Sequence, residues 1–321
     1  MSDHVDGIRT VMKHARHQVG KVIIGQRHVI DLALIAIFTG GHVLIEGTPG
    51  VAKTLLVRTL AQLLGCEFNR IQFTPDISPT DIIGSKVFNP QTNEFVLVKG
   101  PIFTTFLLGD EINRAPARAQ SALLQAMQEH QVTIDRSTYQ LSPNFTVFAT
   151  LNPSDYVGTF PLPEPQRDRF LFKIIMDSPN PEEEYELCDQ TLSDKAPDKI
   201  VESGVIKPIL TSERLALLRN ALNLITISPQ LVRYAVAITQ RSRSHNSIQL
   251  GAGPRATQGL VLSSRAKAAL EGRDQVMAED IRAMAIASME HRLILKPSFI
   301  EEGLTCAEVI RHILQSVDVP D

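Results

Sequence analysis

The segment from His42 to Leu56 has the residue order of a phosphate-binding loop. A short apolar run leads into small residues that begin at Gly47, and Lys53-Thr54 then opens an amphipathic stretch. A strand, a loop and a helix in this order turn backbone N–H groups toward a phosphate at the helix N-terminus. The lysine adds a point charge for the β- and γ-phosphates, and the threonine hydroxyl is a ligand for Mg²⁺. The segment therefore predicts a nucleotide site, and the alternative is a glycine-containing turn before an ordinary helix.

The loop supplies most of the predicted nucleotide contacts. We assign them to Gly47, Thr48, Pro49, Gly50, Val51, Ala52, Lys53, Thr54 and Leu55. The residue before the lysine is alanine, where the usual pattern has glycine. An alanine fits at this position if the loop has already entered the helix there, because glycine is the residue that tolerates other dihedrals. We therefore expect helical dihedrals at Ala52.

A second apolar run, Val22-Ile23-Ile24, precedes a predicted helix over Val29 to Phe38. Its place ahead of that helix suggests an apolar patch against an adenine ring, so we assign Ile23 and Ile24 to the base. Simple core packing explains the same periodicity equally well.

Two adjacent acids, Asp110 and Glu111, follow the apolar run that starts at Thr104. In a parallel sheet the carboxyl ends of the strands point at the ligand crevice. Asp110 is predicted to hold the Mg²⁺ shell and Glu111 to accept a proton from an attacking water. Asn152 lies just after a later predicted strand, 144–150, and could hydrogen-bond the γ-phosphate or that water. Taken alone, an acidic pair is usually a solvated loop and Asn-Pro is only a turn signal.

The spacing of apolar residues predicts an α/β region followed by helices. A long insertion at 74–103, with a short helix and a hairpin at 86–98, separates two core strands, and a second hairpin is predicted at 132–141. After Ser178-Pro179-Asn180-Pro181 the pattern predicts helices near 181–192, 211–223, 229–245, 255–271 and 278–295. The proline-rich segment is a boundary signal, so we predict domains at 1–178 and 179–321.

Composition limits the class of protein. The 321 residues are 43% hydrophobic and 21% charged, which is ordinary for a soluble globular protein. The formal net charge of -3 supplies no global field for nucleic acid or anionic membranes. Cys66, Cys188 and Cys306 have neither metal-ligand nor paired spacing. The N-terminus lacks a signal peptide and no apolar run has membrane-spanning length, so we expect a cytoplasmic protein.

The ordered set GTPGVAKT, LLGDEINRAP, TLNP, QRDRF and GAGPRA resembles that of AAA+ ATPases. The longer phrases RIQFTPDISPTDIIGS, GPIF, DEINRAPARAQSALLQAMQEHQVT and GTFPLPEPQRDRF are similar to the MoxR family, and the resemblance covers roughly residues 8 to 315. It implies an AAA+ core with a parallel sheet flanked by helices, followed by a small all-helical lid.

The resemblance also implies a role for each motif residue. These roles are Walker A for Lys53 and Thr54, Walker B for Asp110 and Glu111, sensor 1 for Asn152, and sensor 2 for Arg255. Arg169 sits where related ATPases place the arginine finger that reaches a neighbouring subunit, and Arg114 is a second candidate for that contact. The insertion at 74–103 resembles the helix-2 insert, and the hairpin at 132–141 resembles the pre-sensor 1 hairpin.

The family resemblance implies a function as well. MoxR proteins form hexameric rings that bind ATP and Mg²⁺, hydrolyse ATP and remodel other proteins. They often assist complex maturation or the insertion of a metal or cofactor, together with a partner that has a von Willebrand factor A domain. Two alternatives are a nucleic-acid motor or helicase loader and a nucleotide-gated scaffold with little turnover. Nucleic acid is disfavoured because the hairpin charges balance, Lys86 against Glu94 and Arg136 against Asp135.

Overall fold

The computed structural model describes residues 2–152, 159–193, 196–202, 204 and 206–320. Pro153, which completes the TLNP motif, lies outside them. The first helices along the chain are α1 (Ser2–Gly20), α2 (Arg27–Thr39), α3 (Lys53–Leu63), α4 (Pro79–Ile83), α5 (Ala117–Glu129) and α6 (Glu164–Arg167). The strands among them are β1 (Val43–Glu46), β2 (Phe68–Gln72), β3 (Gly84–Asn89), β4 (Glu94–Lys99), β5 (Phe106–Asp110), β6 (Gln131–Ile134), β7 (Ser137–Gln140), β8 (Thr146–Leu151) and β9 (Phe172–Ile175).

The C-terminal part of the chain is mostly helical. Its helices are α7 (Pro181–Leu192), α8 (Pro197–Glu202), α9 (Ser212–Ala221), α10 (Pro229–Arg243), α11 (Pro254–Leu270), α12 (Ala278–Met289), α13 (Pro297–Glu301) and α14 (Cys306–Ser316). Two short strands, β10 (Ile248–Leu250) and β11 (Ile294–Leu295), form an antiparallel pair. Among the described residues, no helix has both the length and the apolar character that crossing a membrane requires.

Five parallel strands form the central sheet, in the order β2-β5-β8-β1-β9. Strands β1, β5 and β8 are buried along almost their whole length, as expected for a parallel sheet with helices on both faces. The register places Gln72 opposite Asp110, and Glu46 opposite Leu151. The phosphate loop, the acidic pair and Asn152 therefore all follow strands that end at the same edge of the sheet. This confirms the predicted α/β core.

The side chains of β1 show how the sheet divides the core. Val43 and Ile45 pack into the cluster formed with α1, α2, α3 and the C-terminal helices. Leu44 points to the opposite face and packs with α5, for example with Leu123 and Leu124. Alternate facing of successive residues is the geometry of a strand. Burying one such side chain contributes about 1.5–3 kcal/mol, so both faces stabilise the strand that begins the phosphate loop.

Both predicted hairpins are present. Strands β3 and β4 pair with Val87 opposite Val96 and Phe88 opposite Phe95, and β6 pairs with β7. The aromatic pair stands edge to face, with ring centroids 5.5 Å apart, although the side chain of Phe95 is 69% exposed. The insertion therefore ends in a hairpin with apolar side chains in solvent. Its short predicted helix is α4, which a capping box at Ser78 and Asp81 begins.

The spacing of apolar residues predicted some of the C-terminal helices and missed others. The four predicted helices that begin near residues 181, 211, 229 and 255 are confirmed as α7, α9, α10 and α11. The fifth is shorter than predicted, because α12 ends at Met289 and a 3-10 turn, Glu290–Arg292, leads into β11. Helix α14 was missed, although Thr305 and Glu308 form a capping box ahead of its apolar face. Helices α8 and α13 were also missed, and they have only five or six residues.

Candidate nucleotide site

The phosphate loop begins where β1 ends, and its backbone is closely packed. A Cβ added at Gly47 would lie 2.4 Å from the carbonyl oxygen of Met176, so only glycine lets the loop pass β9 this closely. Gly50 has φ of 90°, in the left-handed region that glycine adopts without strain. These two glycines bend the chain around the site of the predicted β-phosphate.

The expectation for Ala52 is wrong. Its dihedrals are φ 67° and ψ 26°, in the left-handed region, and α3 begins only at Lys53. The loop makes its last turn at Ala52, before the helix, and this is why the usual pattern has glycine there. A left-handed conformation costs an L-residue about 1–2 kcal/mol, so the alanine is held in place by the packing of the loop and α3.

The side chain of Lys53 folds back over the phosphate loop. Its Nζ donates to the carbonyl oxygens of Gly47 at 2.6 Å and Thr48 at 3.1 Å. Burial lowers the pKa of Lys53, while the carboxylates of Asp110 and Glu111 act in the opposite direction. The ammonium group is therefore held between the loop carbonyls and the acidic pair, which is where a phosphate charge would be neutralised.

The acidic pair is fixed by its neighbours. Thr150, near the end of β8, donates from Oγ1 to Asp110 Oδ1 at 2.6 Å and accepts the backbone N–H of Glu111 at 2.8 Å. Gln72 Nε2 donates to Glu111 Oε2 at 2.9 Å. Glu111 itself has φ of 57° and ψ of 51°, a strained geometry for a non-glycine residue. Strain and hydrogen bonds together orient the carboxylate that was predicted to be the general base.

One cavity of about 450 Å³ collects most of the predicted site. It is lined by Pro49, Gly50, Ala52, Lys53, Thr54, Leu55, Asp110, Glu111 and Asn152. Asn152 is buried at the end of β8, so an amide lies in the same cavity as the lysine and the two acids. We call this the phosphate cavity. Its arrangement has the parts for binding a polyphosphate and activating a water beside it.

The chain matches known proteins along nearly its whole length. Residues 42–172 match the family model described as ATPase family associated with various cellular activities (AAA), and residues 240–313 match an AAA lid domain. The chain is 39% identical to the chaperone MoxR1 of Mycobacterium tuberculosis, over 96% of this chain and 82% of that protein. It is 32% identical to the protein MoxR of Methylorubrum extorquens, over 94% of this chain and 93% of that protein.

A solved structure agrees with these matches. The crystal structure of a provisionally assigned ATPase from Cytophaga hutchinsonii has a TM-score of 0.91 and 38% identity, and the match covers 99% of this chain and 98% of that one. This chain belongs to the MoxR family of AAA+ ATPases. The predicted fold, an AAA core followed by a helical lid, is confirmed; the sequence did not predict the short β10–β11 pair or helices α8, α13 and α14 of the C-terminal part.

A second cavity, of about 600 Å³, adjoins the phosphate cavity of this MoxR-family ATPase and shares Gly50, Ala52 and Leu55 with it. Ile23 and Ile24, which were assigned to the adenine ring, both line it, and Ile23 also belongs to the buried core cluster. Helix α7 supplies the other wall, through Leu187, Cys188 and Leu192. The α7 residues were not predicted as site residues, because the sequence does not show that α7 folds back over the run that ends at Ile24.

The structure also adds two cationic residues to the phosphate cavity. Arg58, one turn after Thr54 on α3, and Arg70, on β2, both line it. Arg70 donates to Asp110 Oδ2 and Gln72 lies between Arg70 and Glu111. Alternate polar residues on β2 were the available signal. The sequence alone could not turn this signal into a prediction of Arg70 as a site residue, because the strand order decides which strand lies beside the acidic pair.

Arg169 and Arg255 lie apart from the phosphate cavity. Both line a groove with Asp168, Gln258 and Arg292, which we call the arginine groove. Arg169 donates from Nη1 to the carbonyl oxygen of Leu124 at 2.5 Å. Arg255 lies 3.5 Å from an oxygen of Asp168, and its side chain is 48% exposed. The structure therefore brings the predicted finger and the predicted sensor 2 together, and it places neither against the phosphate loop of its own chain.

Arg292 joins the lid to the segment that carries Arg169. Its guanidinium donates to Asp168 Oδ1 at 2.9 Å and to the carbonyl oxygen of Phe170 at 2.7 Å. Burial lowers the pKa of Arg292, and the charge of Asp168 opposes that shift. The buried ring of His291 also bonds the Phe170 carbonyl, at 2.9 Å. Arg292 Nη2 also donates to the carbonyl oxygen of Asp168 at 3.1 Å, so the lid contacts the backbone on both sides of the predicted finger.

Arg114 contacts the acidic pair of its own chain. Its Nη1 lies 3.1 Å from Glu111 Oε2, with 42% of the side chain exposed. This position supports a role for Arg114 beside Glu111, the residue that was predicted to be the general base. It makes Arg169 and Arg255 the better candidates for contact with a neighbouring subunit.

Proposed function

We propose that this protein hydrolyses ATP to ADP and phosphate with Mg²⁺, in a ring where each active site is shared by two subunits. The observation that carries the proposal is the separation of two complementary sets. The phosphate cavity holds Lys53, Glu111 and Asn152, while Arg169 and Arg255 lie in the arginine groove. Phosphoryl transfer needs positive charge at the γ-phosphate in addition to a lysine and a metal.

Residues of the phosphate cavity divide the work of hydrolysis. Lys53 binds the β- and γ-phosphates, and the backbone N–H groups of the loop surround the β-phosphate. Glu111 accepts the proton of the attacking water, and Asn152 orients that water or the γ-phosphate. The adenine ring packs on Ile23 and Ile24 in the adjoining cavity.

Mg²⁺ fits the oxygen donors of the phosphate cavity. The Thr54 hydroxyl and the Asp110 carboxylate line one cavity, and hard oxygen ligands are those that Mg²⁺ prefers when it also binds phosphates. When bound, the ion would neutralise charge on the β- and γ-phosphates. Thr54 and Asp110 are therefore the residues that would hold it.

The arginine groove explains why the protein would assemble. A residue that stabilises the γ-phosphate in the transition state but lies away from its own phosphate cavity is useful to a neighbour. A head-to-tail contact that places one subunit's groove on the next subunit's cavity closes into a ring if the rotation allows it. We propose a hexamer, with Arg169 as the finger and Arg255 as a second cation at the same γ-phosphate.

The insertion and the hairpins are the proposed working surface. The exposed apolar side chains of β3 and β4 suit a polypeptide client better than a phosphate backbone, because Val87, Phe88 and Phe95 have no charge to offer. One relative bears the name chaperone. We therefore propose remodelling of protein complexes, including their maturation or the insertion of a metal or cofactor, with a von Willebrand factor A-domain partner in the cytoplasm.

The moving unit of such a machine would be the lid. Strand β9 ends at Ile175 and α7 begins at Pro181, which supports the division into residues 1–178 and 179–321. Because Arg292 of the lid holds the segment around Arg169, a change of nucleotide at one site would reach the finger through the lid.

The test is steady-state ATP hydrolysis as a function of protein concentration, with molecular size measured at each point. A shared site predicts that specific activity rises steeply as the ring forms and that Mg²⁺ is required. Glu111→Gln protein serves as the matched control, since it should assemble and bind ATP without turnover. Specific activity that does not change with concentration or with assembly would mean that one chain contains the complete active site.

A further inference from the structure

Both oxygens of the Asp110 carboxylate already have donors. Oδ1 accepts from Thr150 Oγ1 at 2.6 Å. Oδ2 accepts from two nitrogens of Arg70, from Nη2 at 2.7 Å and from Nε at 3.2 Å. An oxygen with two N–H donors has its lone pairs in use. The outward oxygen of the predicted magnesium ligand is thus covered by the guanidinium of Arg70.

Arg70 and a magnesium ion cannot share this oxygen. Mg²⁺ binds oxygen ligands at about 2.0–2.1 Å and requires near-ideal octahedral geometry. Even with a water between the ion and Asp110, the two positive charges would face each other across one carboxylate. We propose that Arg70 occupies the position of the metal on Asp110 and must leave when Mg²⁺-nucleotide binds. The inference rests on the proposed function, because it assigns the metal to Asp110.

The same side chain reaches the general base through Gln72. Arg70 Nη2 donates to Gln72 Oε1 at 2.6 Å, and Gln72 Nε2 donates to Glu111 Oε2 at 2.9 Å. Residues 70 and 72 face the same side of β2, and the register places Gln72 opposite Asp110. Departure of Arg70 removes the hydrogen bond that orients the Gln72 amide. Arg70 therefore links the metal carboxylate to the base, and it is a positioning residue for both.

Displacement of Arg70 is feasible in this structure. Its side chain is 47% exposed, whereas Asp110 is 13% exposed, so the arginine can move while the carboxylate stays fixed. An exposed ion pair of this kind is weak, which suits an interaction that a divalent ion must replace. Arg70 also lines the phosphate cavity itself.

The test measures metal affinity rather than turnover. We would titrate MgCl₂ into wild-type protein with a fluorescent ATP analogue and record the half-saturating Mg²⁺ concentration from anisotropy. In Arg70→Ala protein this concentration should fall by roughly threefold to fivefold, the size expected for loss of an exposed ion pair. Arg70→Lys should lie between the two, because an ammonium group keeps the charge but cannot present the same fork of donors.

Arg58→Ala is the matched control, since Arg58 is another arginine that lines the same cavity. An equal fall in both variants would mean that net charge alone sets metal affinity, and it would overturn the proposal. A higher half-saturating concentration in Arg70→Ala would overturn it too, because Arg70 would then assist the metal. Thermal unfolding checks that each variant is folded. If Arg70→Ala is not folded, the Mg²⁺ titration of Arg70→Lys takes its place as the test.

A second measurement separates this inference from the proposed function. Binding of Mn²⁺ without nucleotide, followed by electron paramagnetic resonance, should be tighter in Arg70→Ala than in wild type. If wild-type protein fails to bind the ATP analogue, the proposed function fails, and the Mn²⁺ titration still decides whether Arg70 competes for Asp110. Equal Mn²⁺ affinities in the two proteins would overturn the inference while leaving ATP hydrolysis intact.

Discussion

The phosphate cavity and the arginine groove differ in how their charges are balanced. The cavity has cations and carboxylates in comparable number, and the carboxylates of Asp110 and Glu111 each have bonded donors. Among the described residues that line the groove, three are arginines and one, Asp168, is an acid. Excess positive charge beside a single carboxylate is suited to a further anion. The comparison fits the proposed division of work, in which the cavity holds the chain's own phosphates and the groove contacts phosphates held by a neighbouring subunit.

The largest effect is expected at the groove. Arg169→Ala should bind nucleotide normally and lose roughly a thousandfold in turnover, the lower range for an arginine finger. Mixing it with Lys53→Ala protein should restore part of the activity, because a mixed ring contains sites with an intact cavity and an intact finger. Arg233→Ala, on the exposed face of α10, is the matched control and should hydrolyse at the wild-type rate. Co-assembly without any rescue would contradict a shared site.

Glu111→Gln tests the other side of the comparison. The amide keeps the size of the side chain but cannot accept a proton, so turnover should fall about a hundredfold or more. Binding of ATP and Mg²⁺ should be retained, because Asp110, Lys53 and Thr54 are unchanged. The control is Glu129→Gln at the exposed end of α5. Hydrolysis at the wild-type rate in Glu111→Gln would remove Glu111 from the role of general base.

The floor of the arginine groove includes a buried histidine, and it predicts a pH effect on stability. His42 Nδ1 accepts the backbone N–H of Val147 at 3.0 Å, so Nε2 carries the proton and donates to the Met127 carbonyl at 3.1 Å. Burial lowers the pKa of His42 to about 4, and the charge of Arg219 acts in the same direction. Protonation of Nδ1 would place its N–H against the backbone N–H of Val147.

The direction of this pH effect depends on which state, folded or unfolded, binds the proton. Between pH 6.5 and about 4 the unfolded chain binds a proton at His42 that the folded chain does not, so stability is complete above this window and falls as pH falls through it. From pH 7 to pH 5 the loss should be about 2 kcal/mol. Urea unfolding of wild type should show this extra loss relative to His42→Asn. The exposed His14→Asn variant should follow wild type; a His42→Asn protein equally sensitive to acid would contradict the assignment.

The sequence predicted the phosphate cavity better than the arginine groove, for a physical reason. Lys53, Asp110 and Asn152 each follow a buried apolar run, and parallel strands bring their carboxyl ends together whatever their order. The position of Arg255 depends on how α11 packs against the core, which periodicity does not encode. Arg70 was missed because only the order of the strands places β2 beside β5. The sequence therefore indicated which residues lie next to strand ends, and it could not place residues such as Arg70 whose position depends on tertiary packing.

The smallest effect is expected from a substitution of Ala52, which tests backbone strain in the phosphate cavity. Its left-handed dihedrals are strained for alanine, so Ala52→Gly should raise the free energy of unfolding by about 0.5–1 kcal/mol, after the extra entropy of glycine in the unfolded chain is subtracted. The matched control is Gly50→Ala, where φ is 90° and a Cβ would meet no atom within 4 Å, so it measures backbone strain alone and should destabilise the protein. Thermal unfolding of nucleotide-free protein compares the two. An Ala52→Gly protein less stable than wild type would mean that alanine is not strained at this position of the phosphate loop.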